Sequence, residues 1–386
     1  MEEACVERPN ALSKVVIGLL GSLTLMFYTT ELAPSGLLTQ ISTAFSEPLS
    51  KVAWLVAVYT LPSALLAIPL TRFLARMNRR VLLLTLLFSL SVLNTSIALS
   101  PNFWVMLVAR FLSGMCAAIF WPMIAPYTLA IAPPLHGGRA IALVLTGSSL
   151  GLSVGVPLTT ALGRLTSWRF TFALIAGIYL LIFGLGLRYF PNVVGNRTGK
   201  VPHPKELLRL PGIRVGLSMV MAFVIGEYST YVYIQMIAQY THLNATVLQL
   251  LFGFGAISAI LVVQRLVDEY LHQVLLTVAG FGIVAMLGLL FLSNWTMIVI
   301  VMGIIWGMSF GPLSTLFQTT FTRQVDTNKE VAVSLESSTF DISIMLTTVI
   351  AGHCFDQWGI HSNLIVALLA FTCAFMIIYR YRGYLK

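Results

Sequence analysis

The sequence predicts an all-α membrane protein, with twelve transmembrane helices in two pseudo-symmetric six-helix bundles. Three observations predict it: the composition, the length of the apolar runs, and the side on which basic residues fall. Of 386 residues, 58% are hydrophobic and 10% are charged, and mean hydropathy is +0.88. A soluble domain carries about 25% charged residues, so a water-exposed surface cannot be built from this chain and lipid must cover it. A hydrocarbon core of about 30 Å takes about 20 apolar residues per helix. Open sheet edges would strand backbone polar groups in lipid, so the spans must be helices. Barrel strands would alternate over about ten residues, whereas the runs here are continuous and longer.

Reading apolar runs between polar breaks gives the twelve spans. They are Lys14 to Gln40, Val52 to Phe73, Val81 to Leu99, Phe103 to Ala132, Ala140 to Leu165 and Trp168 to Phe190. A second six follow: Gly212 to Tyr240, Val247 to Val267, Val274 to Leu292, Trp295 to Phe321, Val331 to Phe355 and Leu364 to Tyr381. Turn chemistry marks the breaks, as at Pro101-Asn102, Pro133-Pro134 and Ser293-Asn294.

Lys and Arg set the orientation. With both termini cytoplasmic, nineteen of the 23 cationic residues fall on the inner side, only Lys51, Arg164 and Arg169 fall outside, and Arg110 lies within a span. This is the positive-inside pattern, and it accounts for the formal charge of +9 without nucleic acid as a partner. The cysteines, Cys5, Cys116, Cys354 and Cys373, match no metal spacing, and no metal or cofactor is expected. Met1-Glu2-Glu3 lacks a signal-peptide pattern, so the first span is expected to be retained.

The longest polar break follows span six and implies residues 1–190 as an N-terminal bundle, 191–211 as a cytoplasmic linker and 212–386 as a C-terminal bundle. A faint repeat supports the split. Glu31 in TTELAPSGLL and Glu227 in VIGEYSTY are 196 residues apart, and Phe120-Trp121-Pro122 has a looser counterpart in Ile305-Trp306-Gly307.

Within the spans, a few residues carry chemistry. Arg110 in span four costs about 2.5–3.5 kcal/mol to insert and needs a partner or cavity. Counting about 1.5 Å per residue from each helix entry places Glu31 at a similar depth, so a Glu31–Arg110 pair is expected. Glu227, Glu336 and Asp341 lie mid-span in a half without mid-span Lys or Arg. Desolvation favours the neutral form of a carboxyl, the property a proton carrier needs; neutral carboxyls serving only structure are the alternative. Tyr231, Gln235, Trp121, Trp306 and Asn94, with Glu227, Glu336 and Asp341, are expected to line a substrate cavity. Gly147, Gly151 and Gly155 recur every four residues before Pro157, a smooth face for close helix packing. No GxxxxGK[ST] loop occurs, so the driving force is expected to be an ion gradient, with protons as the coupled partner. No convergent nucleophile–base or metal cluster marks an enzyme.

These motifs resemble the major facilitator superfamily, and within it the drug:proton antiporter branch that includes bacterial sugar-efflux transporters. Arg110-Phe111-Leu112-Ser113-Gly114 is similar to that family's RxxxG motif, with Ser113 where glutamine is usual. GLSVGVPL resembles the antiporter motif, although Val156 separates its glycine from its proline. The span two–three loop keeps the family's basic pair as Arg79-Arg80, after Arg72, but has Ala75 in place of an aspartate; Asp268 answers it in the second half. In the family these loops latch the bundles at the cytoplasmic side. The resemblance implies a monomeric, proton-coupled exporter of small polar molecules, working by alternating access in a bacterial inner membrane. An importer or facilitator of the same fold, or an exporter of a metallophore or amine-bearing compound, remains the alternative.

Overall fold

The computed structural model describes residues 10–74, 77–132, 137–193, 207–325 and 329–384. Twelve of its helical segments are long and apolar enough to cross a membrane. The first six spans are α1 (Asn10–Leu32), α3 (Leu49–Leu74), α4 (Arg79–Ala98), α5 (Phe103–Ile131), the series α6 (Gly137–Leu150) with α7 (Val156–Leu165), and α8 (Trp168–Tyr189). A short helix, α2 (Leu38–Phe45), follows α1. The second half contains α9 (Pro211–Tyr231), α10 (Ile234–Tyr240), α11 (Ala245–Phe291), α12 (Thr296–Phe310), α13 (Leu313–Arg323), α14 (Lys329–Trp358) and α15 (Ile360–Arg380). Residues 194–206, most of the expected linker, lie outside the described residues.

Local chemistry explains where helices begin. Asn78, Asn102, Ser167 and Asn244 each accept a backbone N–H of the following turn at 2.9–3.1 Å, satisfying a donor that the helix itself leaves unpaired. With an even number of spans, both described ends lie on one side, here called proximal; the opposite side is distal. Exposed Trp104, Trp295 and Trp358 mark the distal ends of spans four, ten and eleven, as aromatic residues do at a membrane boundary.

Spans one, seven, eight, nine and ten differ from smooth rods. Span one stops at Leu32, makes a 3-10 turn at Ala33–Gly36 and resumes as α2, because Pro34 has no N–H to continue the ladder. Span seven, read as continuous to Tyr240, breaks between α9 and α10. Span ten breaks at Gly311-Pro312. Spans eight and nine are separate, as read, and meet directly at a kink where Tyr270 leaves helical geometry (φ −126°, ψ 30°).

In span five, Gly151–Gly155 forms a π turn between α6 and α7. The wider turn accommodates the missing N–H of Pro157. The glycine face meets span one: a Cβ on Gly151 would stand 2.6 Å from the Leu25 carbonyl oxygen, so only glycine allows this approach. Thr24 Oγ1 donates to the Val144 carbonyl at 2.5 Å across the same seam. Between the halves, α3 packs on α14, and the π turn and α7 pack on α11.

Candidate functional site

Arg110 is fully buried in α5 and bound by main chain. Its Nη1 donates to the Thr30 carbonyl at 2.7 Å, Nη2 to the Glu31 carbonyl at 2.7 Å, and Nε to the Leu55 carbonyl at 2.9 Å. In an unbroken helix the Thr30 carbonyl would accept the N–H of residue 34, but Pro34 has none. The guanidinium therefore replaces donors lost at the break in span one. It also stacks 4.4 Å from the Tyr59 ring centroid. Gly114, one turn later, lies against the Tyr59 carbonyl with no room for a side chain, which brings α5 close enough to α3 for this arrangement.

The expected pairing thus takes another form. Arg110 meets the carbonyl of Glu31; the ion pair within 4 Å among the described residues is Lys51–Glu47 at 2.7 Å. The Glu31 side chain is left without Arg110 as its ion-pair partner, and Asp341 of α14 lies within electrostatic reach of it. Asp341 likewise neighbours Glu336 and the Ser63 hydroxyl of α3. Three carboxyls from the two halves therefore share one region.

Glu227 belongs to a second buried cluster. Trp306 Nε1 donates to its Oε2 at 2.8 Å, and Ser309 Oγ lies 2.5 Å from Oε1. Ser309 Oγ also lies 2.7 Å from the Trp306 carbonyl. Around them, the ring centroids of Tyr231 and Phe252 stand 4.8 Å apart, and those of Phe252 and Trp306 stand 5.0 Å apart. Tyr231 and Trp306 are fully buried here: Trp306 orients a carboxyl, and Tyr231 packs beside it.

The remaining expected cavity residues are dispersed. Trp121 packs with Phe27 and Phe120 in the N-terminal half. Asn94 is fully buried and donates to the Leu90 carbonyl of its own helix at 2.8 Å. Gln235 lies at the distal end of span seven and binds the break in span one. Arg80 Nη2 donates to the Leu187 carbonyl at 2.6 Å, and the Arg79 N–H to the Val193 carbonyl at 2.9 Å. Both contacts tie the loop to the end of α8, where a cation favours the negative pole of the helix. The side chains of Arg72 and Asp268 lie outside the described ones.

A cavity does lie between the halves, and its walls include residues that the sequence reading missed. Tyr28, Ser148, Phe310, Ser314 and Phe340 line it from spans one, five, ten and eleven. Two signals were present in the sequence: Tyr28 is one turn before Glu31, and Phe340 adjoins Asp341. Tyr228, next to Glu227, closes the group by packing against Phe340 at 5.9 Å.

A family model described as Major Facilitator Superfamily matches residues 19–332. The chain belongs to the major facilitator superfamily. It is an integral membrane transporter, not an enzyme, and its cargo is a small molecule. It is 28% identical over 342 residues to a Pasteurella multocida protein named "Probable sugar efflux transporter", covering 87% of this chain and 84% of that one. A Helicobacter pylori protein of the same name is 27% identical, covering 83% of each chain. Among solved structures, a bacterial homolog of the human lysosomal transporter Spinster, titled as inward-facing and unoccupied, superposes with a TM-score of 0.72. It is 14% identical, and the match covers 98% of this chain and 99% of that one; the likeness is one of fold.

Proposed function

We propose that this transporter is a proton-coupled exporter of small polar molecules that works by alternating access. The observation that carries the proposal is the presence in both halves of carboxyls withdrawn from solvent within the membrane span: Glu31, Glu227 and Glu336 are buried and Asp341 is half-buried. Glu31 and Asp341, from opposite halves, lie within electrostatic reach of each other, while Glu227 is held by Trp306 and Ser309. Ser309 has one proton and two close oxygen neighbours, the Trp306 carbonyl and Glu227 Oε1. The two contacts are separate, unshared hydrogen bonds when Glu227 itself carries a proton and donates to Ser309; otherwise the one hydroxyl proton is divided between two acceptors. That supports Glu227 as a proton site. Arg110, committed to carbonyls, leaves Glu31 free to take and release a proton during the cycle. The relatives named for sugar efflux support export as the direction and sugars as cargo.

A second cargo class is favoured by one feature of this chain. Glu31, Glu227 and Glu336 are buried carboxyls and Asp341 is half-buried, whereas the buried Arg110 is already engaged. Tyr28, Phe310 and Phe340 add aromatic faces to the cavity, and such faces attract cations. An amine-bearing polar molecule matches this wall better than a neutral sugar does.

Proteoliposomes with an acidic lumen provide the test. Protons leaving the lumen through an antiporter drive cargo inward, so labelled sugars and amines should accumulate only with that gradient. Accumulation driven instead by an acidic bath would identify symport and overturn the coupling.

A further inference from the structure

Gln235 was expected among the cavity residues, and the structure places it elsewhere. Its Nε2 donates to the carbonyl of Gly36, and its Oε1 accepts the Thr39 N–H at 3.1 Å and the Thr39 hydroxyl at 3.3 Å. Gly36 and Thr39 belong to the interrupted stretch of span one. One side chain from the C-terminal half thus caps a helix break in the N-terminal half.

The positions are not independent. Thr39 and Gln235 are 196 residues apart, the same offset that relates Glu31 to Glu227. Both spans are interrupted in this stretch, span one at Ala33–Gly36 and span seven at Val232-Tyr233. Residues related by a pseudo-twofold repeat that also touch each other must lie close to its axis. The Gln235–Thr39 contact therefore lies close to that axis, at the distal end.

Other hydrogen bonds also cross the halves at that end. Arg164 Nη1 donates to Asn244 Oδ1 at 2.5 Å, and the Ser50 hydroxyl donates to Asp356. Arg164 and Asp356 are exposed, where water competes for the same groups. Gln235 is 6% exposed, and Gly36 and Ser35 beside it are buried. A hydrogen bond shielded from water is stronger, and its groups are costly to leave unpaired.

We infer that Gln235 is the distal lock of the transport cycle: a positioning residue that holds the distal ends of the two halves together by capping the broken end of span one. Opening toward the distal side separates Gln235 from Gly36 and Thr39 and exposes them to water, which takes over their hydrogen bonds. The lock thus sets the balance between the two access states without touching cargo. The inference rests on membership of the transporter family and the distal geometry, not on proton coupling.

The test uses the full-length chain with spin labels replacing Trp104 and Trp295, which mark distal ends in opposite halves, and reads their distance by pulsed electron resonance without cargo or a pH gradient. Gln235→Leu keeps the size and removes the hydrogen bonds. It should raise the ratio of long-distance to short-distance species by about tenfold or more, given the loss of a shielded multi-bond contact. Thr39→Val, which retains the backbone N–H, should shift the ratio in the same direction by less and provides the reading if Gln235→Leu does not fold. Gln318→Leu, at an exposed site away from the contact, should leave the distribution unchanged. An unchanged distribution in folded Gln235→Leu, or in Thr39→Val when it alone folds, would overturn the lock. So would an equal shift in Gln318→Leu.

Discussion

Arg110 Nη1 stands 2.7 Å from the carbonyl of Thr30, the acceptor that Pro34 leaves without its helical donor. An arginine in one span thereby completes the broken backbone of another. Arg110→Met should lower stability by about 3 kcal/mol or more, since three buried carbonyls lose a donor at about 1–3 kcal/mol each. Pro34→Ala restores an N–H at position 34. In that background Arg110→Met should cost less, with a coupling of about 1 kcal/mol. Thermal unfolding in detergent of the four proteins checks the cycle, and strict additivity would separate Arg110 from the helix break.

The span one–span five seam gives a steric prediction. Gly151→Val places a branched side chain against the Leu25 carbonyl and should reduce folded protein strongly, at a cost of about 3 kcal/mol or more. Gly18→Ala adds a methyl with nothing within 4 Å and should leave folding unchanged or slightly improved. Size-exclusion profiles and melting temperatures distinguish the two.

At the second carboxyl, Trp306→Phe keeps an aromatic ring but removes the N–H that reaches Glu227 Oε2. If the indole acts by holding that carboxyl, Trp306→Phe and Glu227→Gln should be non-additive in gradient-driven transport. The double variant should then resemble Glu227→Gln alone. Independent losses that multiply would make Trp306 a packing residue.

Topology is directly accessible. In a cysteine-free background, Asn294→Cys lies at the distal end and Gly383→Cys at the proximal end. An impermeant thiol reagent outside the cell should label the first and spare the second. The reverse pattern would invert the orientation derived from Lys and Arg.

The twelve spans were legible because hydropathy is a one-dimensional property of the chain, and so was the family, because its motifs are local. The breaks were legible only in part. Spans one, seven and ten were read as continuous, although Pro34 and Pro312 carry the signal for two of those breaks; the π turn at Gly151–Gly155 and the kink at Tyr270 depend on tertiary packing. Arg110 shows the limit for the site. Its depth suggested a carboxylate, yet its partners are main-chain oxygens from two other helices. Gln235 was chosen for the polarity and depth it shares with cavity residues; only the fold shows it turned toward Gly36 and Thr39.

Proton movement accompanying cargo tests the central claim most directly. Lightly buffered proteoliposomes carrying a pH dye in the lumen would receive the cargo identified by the gradient screen, with no gradient imposed. Antiport predicts that cargo entry makes the lumen alkaline as protons leave. Glu31→Gln and Glu227→Gln should abolish that signal while exchange of labelled for unlabelled cargo persists. Cargo entry without a lumen pH change in the unaltered protein would contradict proton coupling.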